Sequence, residues 1–209
     1  MSRSKLNYKV YNGKSIKKLF ENSRLFLLTA LFSAGIIAGA VILNKESAVT
    51  DSIAVFINNY AQKKSEQGIS DVFFNSLFSN GVFFAGNIFL AFSLIGYPLI
   101  IWIPFIKGLG IGVVFGHLYS LYGLSGFGYS ILTLLPGATV STCALIIACN
   151  LSCDYSENAY SKAIIGKGQF EKDETKIFLF RQLVYIMIYI ASSLIDAIFS
   201  TVFLRFFEL

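Results

Sequence analysis

The fold is decided by residues 82–151, VFFAGNIFLAFSLIGYPLIIWIPFIKGLGIGVVFGHLYSLYGLSGFGYSILTLLPGATVSTCALIIACNL, which contain one charged side chain, Lys107. A soluble fold needs a polar face on its surface elements, and seventy residues with a single charge cannot supply one. Two shorter runs share this character: residues 25–43 carry no charge and residues 182–204 carry only Asp196. Together the three runs hold 112 residues and two charges, while the other 97 residues hold 27. The apolar runs are continuous rather than alternating, so a β-barrel is excluded along with a soluble enzyme, a coiled coil and a disordered chain. The chain reads as an all-α, polytopic helical bundle in a membrane. At roughly 20 residues per span it has room for about five spans.

Working outward, the sequence predicts spans over about 25–43, 82–103, 108–122, 129–151 and 182–204, within a single membrane domain covering 25–209. The stretch 82–122 is too long for one helix, and two places offer a turn. A break at Gly96-Tyr97-Pro98 leaves a short second span and buries Lys107, at a cost of about 2.5–3.5 kcal/mol. A break near Pro104–Lys107 puts the lysine at the interface and leaves Pro98 to kink the helix before it; this is the favoured reading. Residues 123–128 (GLSGFG) read as a tight turn, and Pro136 falls in the first half of the fourth span. There it frees a backbone carbonyl, with Thr133, Thr139, Ser141 and Thr142 as candidate partners.

Residues 1–24 are basic, with seven Lys or Arg against Glu21. They read either as a short interfacial helix or as a solvated tail. The following run, with Ala38-Gly39-Ala40, also has elements of a signal peptide, but its length favours a retained span. Residues 44–81 read as a mixed loop with amphipathic pieces, one near Ile53–Tyr60 and one over Val72–Phe78, lying on the membrane or on a partner. Residues 152–181 read as a polar segment with a helix at about 156–176. With the N-terminus in the cytoplasm, 13 Lys and Arg fall on the inner side and 4 on the outer. The positive-inside rule prefers that orientation, and it places 44–81 and the C-terminus outside. The net charge of +5 is then a topology signal, and nucleic-acid binding is not expected.

Chemistry is sparse. The single histidine, His117, gives a histidine-based metal site only one imidazole, and no metal or cofactor is expected. No phosphate loop or Gly-x-Ser-x-Gly nucleophile motif occurs, so no catalytic residue is assigned. Cys143, Cys149 and Cys153 lie on or beside one apolar run and read as small fillers rather than a disulfide framework. Asp196 is the sharpest residue. It reads as a proton or ion site or a buried partner for a polar group on another helix, or else as a structural hydrogen-bond partner of Ser192 or Ser193 or a residue near the outer interface. Gly35 and Gly39 form one small-residue pair, and Gly108, Gly112 and Gly116 form a longer stripe. Both permit close helix packing, within this bundle or against another membrane protein.

In order along the chain stand a basic N-terminus, Gly35-Ile-Ile-Ala-Gly39, Ile95-Gly96-Tyr97-Pro98, Phe105-Ile106-Lys107-Gly108 with its glycine repeat, and Leu135-Pro136. In this order the chain resembles the stage II sporulation protein M family over nearly its whole length. The resemblance implies a mother-cell membrane protein of endospore formation, acting with peptidoglycan-degrading partners in engulfment as their anchor and not as a hydrolase. Many non-sporulation relatives carry histidine directly after the fourth-span proline and an acid four residues later. Here those positions are Gly137 and Ser141. The same family occurs in bacteria that make no spores, so fold alone does not fix the role. Two functions are expected from different classes: a scaffold for wall hydrolases, with the lipid bilayer, those enzymes and possible further copies of itself as partners; or a permease-like subunit served by a separate ATPase. The second draws on Pro98 and Pro136 as helix breaks and on Lys107 and Asp196 in or near the bilayer.

Overall fold

The computed structural model describes residues 23–42, 69–93, 96–165 and 172–204. They form α1 (Ser23–Ile42), α2 (Ile69–Ala91), α3 (Gly96–Thr133), α4 (Leu135–Ile165) and α5 (Lys172–Leu204). All five are long and apolar enough to cross a membrane. Within a bilayer the backbone must satisfy itself, and a bundle of helices does so segment by segment. The burial pattern is that of a protein whose solvent is lipid: Phe26, Phe78, Phe89 and Phe180 face outward, while serines, Asn87 and Gln182 are inside. Trp102 and Tyr119, both exposed on α3, stand about 26 Å apart along the helix, near the thickness of the hydrocarbon layer. The interior is built on Leu28, Phe84, Ile100, Leu145, Ala148, Cys149 and Tyr189, with Phe84 stacked on Tyr189 at 5.0 Å between centroids.

The chain turns between the end of α2 at Ala91 and the start of α3 at Gly96, not at Pro104–Lys107. Ser93 N–H donates to the Leu90 carbonyl and Gly96 N–H to the Ser93 carbonyl, each at 3.0 Å. A Cβ on Gly96 would fall less than 3.0 Å from the Leu90 carbonyl, so this tight return requires glycine. Ser156 Oγ of α4 adds a 3.1 Å hydrogen bond to the Ser93 carbonyl, clamping the hairpin to a third helix. The short second span foreseen for this break does not arise, because α2 begins at Ile69 and takes in a stretch read as outer loop. Its polar residues hid it, yet Asp71 is its only charge.

Each proline sits differently from its expected place. Pro98 is the third residue of α3, where a missing amide hydrogen costs nothing, and it does not break the span. Pro136 is the second residue of α4, just past the one-residue interruption at Leu134 that separates it from α3; helical hydrogen bonds from Leu134 N–H to the Ser130 carbonyl and from Ala138 N–H to the Leu134 carbonyl carry across that junction. Pro104, expected in a turn, is buried inside α3, where it offers no amide hydrogen to the Ile100 carbonyl. Of the tight turn expected at 123–128 only Gly123 leaves the helical conformation, with a φ of 58° and ψ of −134° that suit only glycine; residues 124–133 are helix, and the fourth span starts at Leu135 rather than at 129. The segment expected as a polar loop at 152–181 contains the end of α4 and the start of α5. The expected piece at 53–60 and the whole of residues 1–22 lie outside the described residues.

One end of the bundle is tied by charge. Arg24 of α1 pairs with Asp154 and, at 3.3 Å, with Glu157 of α4; Lys162 of α4 pairs with Glu174 of α5. With Ser156 on the hairpin, these contacts bring the start of α1, the turn between α2 and α3, the end of α4 and the start of α5 to the same side.

The two glycine stripes meet each other. Cβ atoms on Gly35 and Gly39 would strike the carbonyls of Phe105 and Leu109, and on Gly108 and Gly112 those of Phe32 and Ile36, all within 3.0 Å. Gly116 faces Ala40, its Cβ position 3.2 Å from that backbone. The pairings advance in step, so α1 and α3 run parallel with their backbones in contact. Gly110, on another face of α3, has nothing within 4 Å of its Cβ position. We therefore expect Gly112→Leu to lower stability by about 1–3 kcal/mol through overpacking, and Gly110→Ala to stay within about 0.5 kcal/mol of the parent. Equilibrium unfolding in mixed detergent micelles measures both; equal effects would mean that the stripe contact is not what holds α1.

Candidate functional site

The apolar exterior leaves the polar side chains of the spans to find partners inside, and they form interhelical links. Lys107 of α3 is 4% exposed, and its Nζ donates to Ser141 Oγ of α4 at 2.9 Å. Ser141 Oγ in turn donates to the Ala138 carbonyl at 3.1 Å. The turn between α2 and α3 thus carries Lys107 from the expected interface into the protein interior. An amine there is tolerable because it is enclosed by helices and hydrogen-bonded rather than exposed to lipid.

Asp196 of α5 accepts a hydrogen bond from Ser76 of α2. Gly137 of α4 leaves room for it: a Cβ there would lie 2.6 Å from the Asp196 Cβ. Of the serines expected beside Asp196, Ser192 Oγ donates to the Gly137 carbonyl at 2.8 Å and Ser193 Oγ to the Tyr189 carbonyl at 3.3 Å. Gly137 and Ser141 are one turn apart on α4, so a single face of that helix meets both intramembrane charges.

Other links went unseen in the sequence. Gln182 Nε2 donates to the Ala148 carbonyl at 3.1 Å and to Ser152 Oγ at 2.8 Å. Tyr189 Oη donates to the Leu77 carbonyl. Asn87 is fully buried, and neither atom of its amide has a hydrogen-bond partner among the described residues. Only residue type could have flagged these positions, because each partner lies on a helix whose register was unknown. His117 is buried in α3; Cys149 and Cys153 are in the core and Cys143 faces outward, all as free thiols. Among the described residues no group of three His, Cys, Asp or Glu is placed to hold a metal.

Beside Asp196 lies a cavity of about 270 Å³. Its walls come from α2 (Ser79, Asn80), α3 (Gly110, Phe115) and α4 (Gly137). Asn80 is held on this wall by its 3.1 Å hydrogen bond to the Ser76 carbonyl.

The Lys107–Ser141 link makes an asymmetric prediction. Ser141→Ala leaves a buried amine without its acceptor and should cost about 1–3 kcal/mol. Lys107→Met removes the polar group together with its need for a partner, and should be neutral or stabilising. Unfolding midpoints in detergent test this; a Lys107→Met variant less stable than Ser141→Ala would show that the ammonium contributes more than the hydrogen bond.

A family model described as Stage II sporulation protein M matches residues 28–203. No curated protein and no solved structure shows a significant match. The match spans the described helices from α1 to α5 and includes the glycine contact, both intramembrane charges and the cavity; the chain belongs to the Stage II sporulation protein M family.

Proposed function

We propose that this protein is a non-catalytic membrane anchor that holds peptidoglycan-degrading enzymes at the outer face of the mother-cell membrane during engulfment. Family membership supports a sporulation-related, multi-pass membrane protein. The observation that carries the finer reading is the use made of the polar side chains inside the spans. Lys107, Gln182, Tyr189, Ser192 and Asp196 all link one helix to another. Such links fix the helices in one arrangement, which suits a platform. The permease reading relied on Pro98 and Pro136 as breaks within spans, and both lie in first turns.

Orientation follows from charge. The end that gathers the start of α1, the hairpin between α2 and α3 and the α4–α5 connection also adjoins the basic N-terminal segment, which supports a cytoplasmic position for it. The segment between α1 and α2 then faces the wall, where the enzymes act. In intact cells with the native cysteines replaced, a Ser65→Cys variant should react with an impermeant maleimide, and Ser4→Cys only after permeabilisation. The opposite pattern would invert the topology and remove the outer docking segment.

The functional test is co-purification from sporulating cells under gentle detergent. A cell-wall hydrolase should accompany the tagged chain, and its focal localisation should be lost when the chain is deleted. Recovery of the chain without any wall hydrolase, with localisation unchanged in the deletion, would sink the anchor reading.

A further inference from the structure

We propose that the cavity beside Asp196 is the docking notch for a basic side chain, lysine or arginine, on a transmembrane helix of a partner protein. This deepens the anchor reading and rests on it, since it assigns the place where a membrane-anchored partner is held.

The cavity has the shape and chemistry of such a side chain. Asp196 supplies a carboxylate fixed from two directions, by the Ser76 hydroxyl and by the packing of Gly137. Ser79 and Asn80 add oxygen acceptors on the α2 wall. Ile111, Val114 and Phe115 form an apolar wall on α3. A carboxylate in the lining, oxygens on one side and hydrocarbon on the other match an ammonium or guanidinium on an aliphatic stem. The volume, about 270 Å³, lies below the range of pockets for drug-sized ligands and suits one large side chain.

The position selects the source of the cation. Ser79 and Gly110 line the cavity and are exposed, and Phe78, Val82 and Ile106 beside them point outward from the bundle. The mouth therefore opens between α2 and α3 toward the hydrocarbon, so an occupant enters sideways from the bilayer. Asp196 lies eight residues before Leu204, the end of α5, and Gly110 eleven before Leu121, the end of its candidate span. The cavity thus lies about 12 to 16 Å from that end of the bundle. A lipid headgroup amine stays at the surface, whereas a lysine one to three turns inside a helix end arrives at this depth. Gly110 gives the approaching helix a flat surface, as nothing occupies the space beside it.

The test uses the full chain in phosphatidylcholine vesicles, labelled with an energy-transfer donor. The probe is an acceptor-labelled Leu/Ala transmembrane peptide with one lysine two turns from one end; the control has leucine there. The lysine peptide should associate about tenfold more tightly than the control. Asp196→Asn, which retains a hydrogen-bonding side chain for Ser76, should bring the ratio to about one. Gly110→Leu should do the same by filling the notch, and it keeps the test open if Asp196→Asn fails to fold. Equal association of the two peptides, or a lysine preference that survives both variants, overturns the proposal. So does loss of the preference on adding phosphatidylethanolamine, which would assign the notch to a lipid amine. Hydrolase co-purification is scored separately: its persistence without a lysine preference would remove this notch and leave the anchor standing.

Discussion

The return of the chain between Leu90 and Gly96 sets the register of everything after it. It is made by a glycine pressed against the Leu90 carbonyl and a serine carbonyl that accepts from both Gly96 and Ser156. No side chain larger than hydrogen fits at Gly96, so the turn cannot slide along the sequence. With it fixed, α2 must reach back to Ile69 to cross the bilayer, and Ser76 and Asn80 enter the interior. Lys107 lies eleven residues past Gly96, inside the bundle rather than at its rim, and the stripe from Gly108 to Gly116 is aligned with α1.

The fold class was legible because it rests on the largest available signal, the near absence of charge over three long runs. Five spans and membership of the family followed from the same runs and from the order of short motifs within them. Span boundaries were not legible to the same extent. Polar residues such as Asn75, Ser76 and Asn80 read as marks of a loop, whereas in the bundle a serine can be satisfied by another helix and an asparagine by the turn before it, as Ser76 and Asn80 are. The insertion cost assigned to a buried lysine was drawn from isolated helices in lipid. Enclosure by α4 and a hydroxyl acceptor reduce that cost, and the reading that avoided burial chose the wrong turn.

The candidate site divides in the same way. Asp196, Lys107 and the glycines stood out by residue type alone, because each is unusual where it occurs. Their partners did not: Ser76, Gly137 and Ser141 are ordinary residues that matter only through the neighbours given them by helix register. Gly137 is instructive. It follows the proline read as a helix break, and its role is to let the Asp196 side chain approach the α4 backbone. A proline at the second position of a helix and a glycine at the third mark the start of a span as naturally as an interruption within one.

The parallel contact between α1 and α3 also has a consequence in time. Gly35 meets the backbone around Phe105, seventy residues further along the chain. At a synthesis rate of roughly 5–20 residues per second, α1 waits about 4–14 s in the membrane before its partner has been made. Through that interval its glycine face, shaped for another backbone, is available to any helix nearby. Biogenesis of the bundle therefore includes a period of exposed, sticky surface, and whatever shields α1 during translation contributes to the yield of folded protein as much as the contact itself does to its stability.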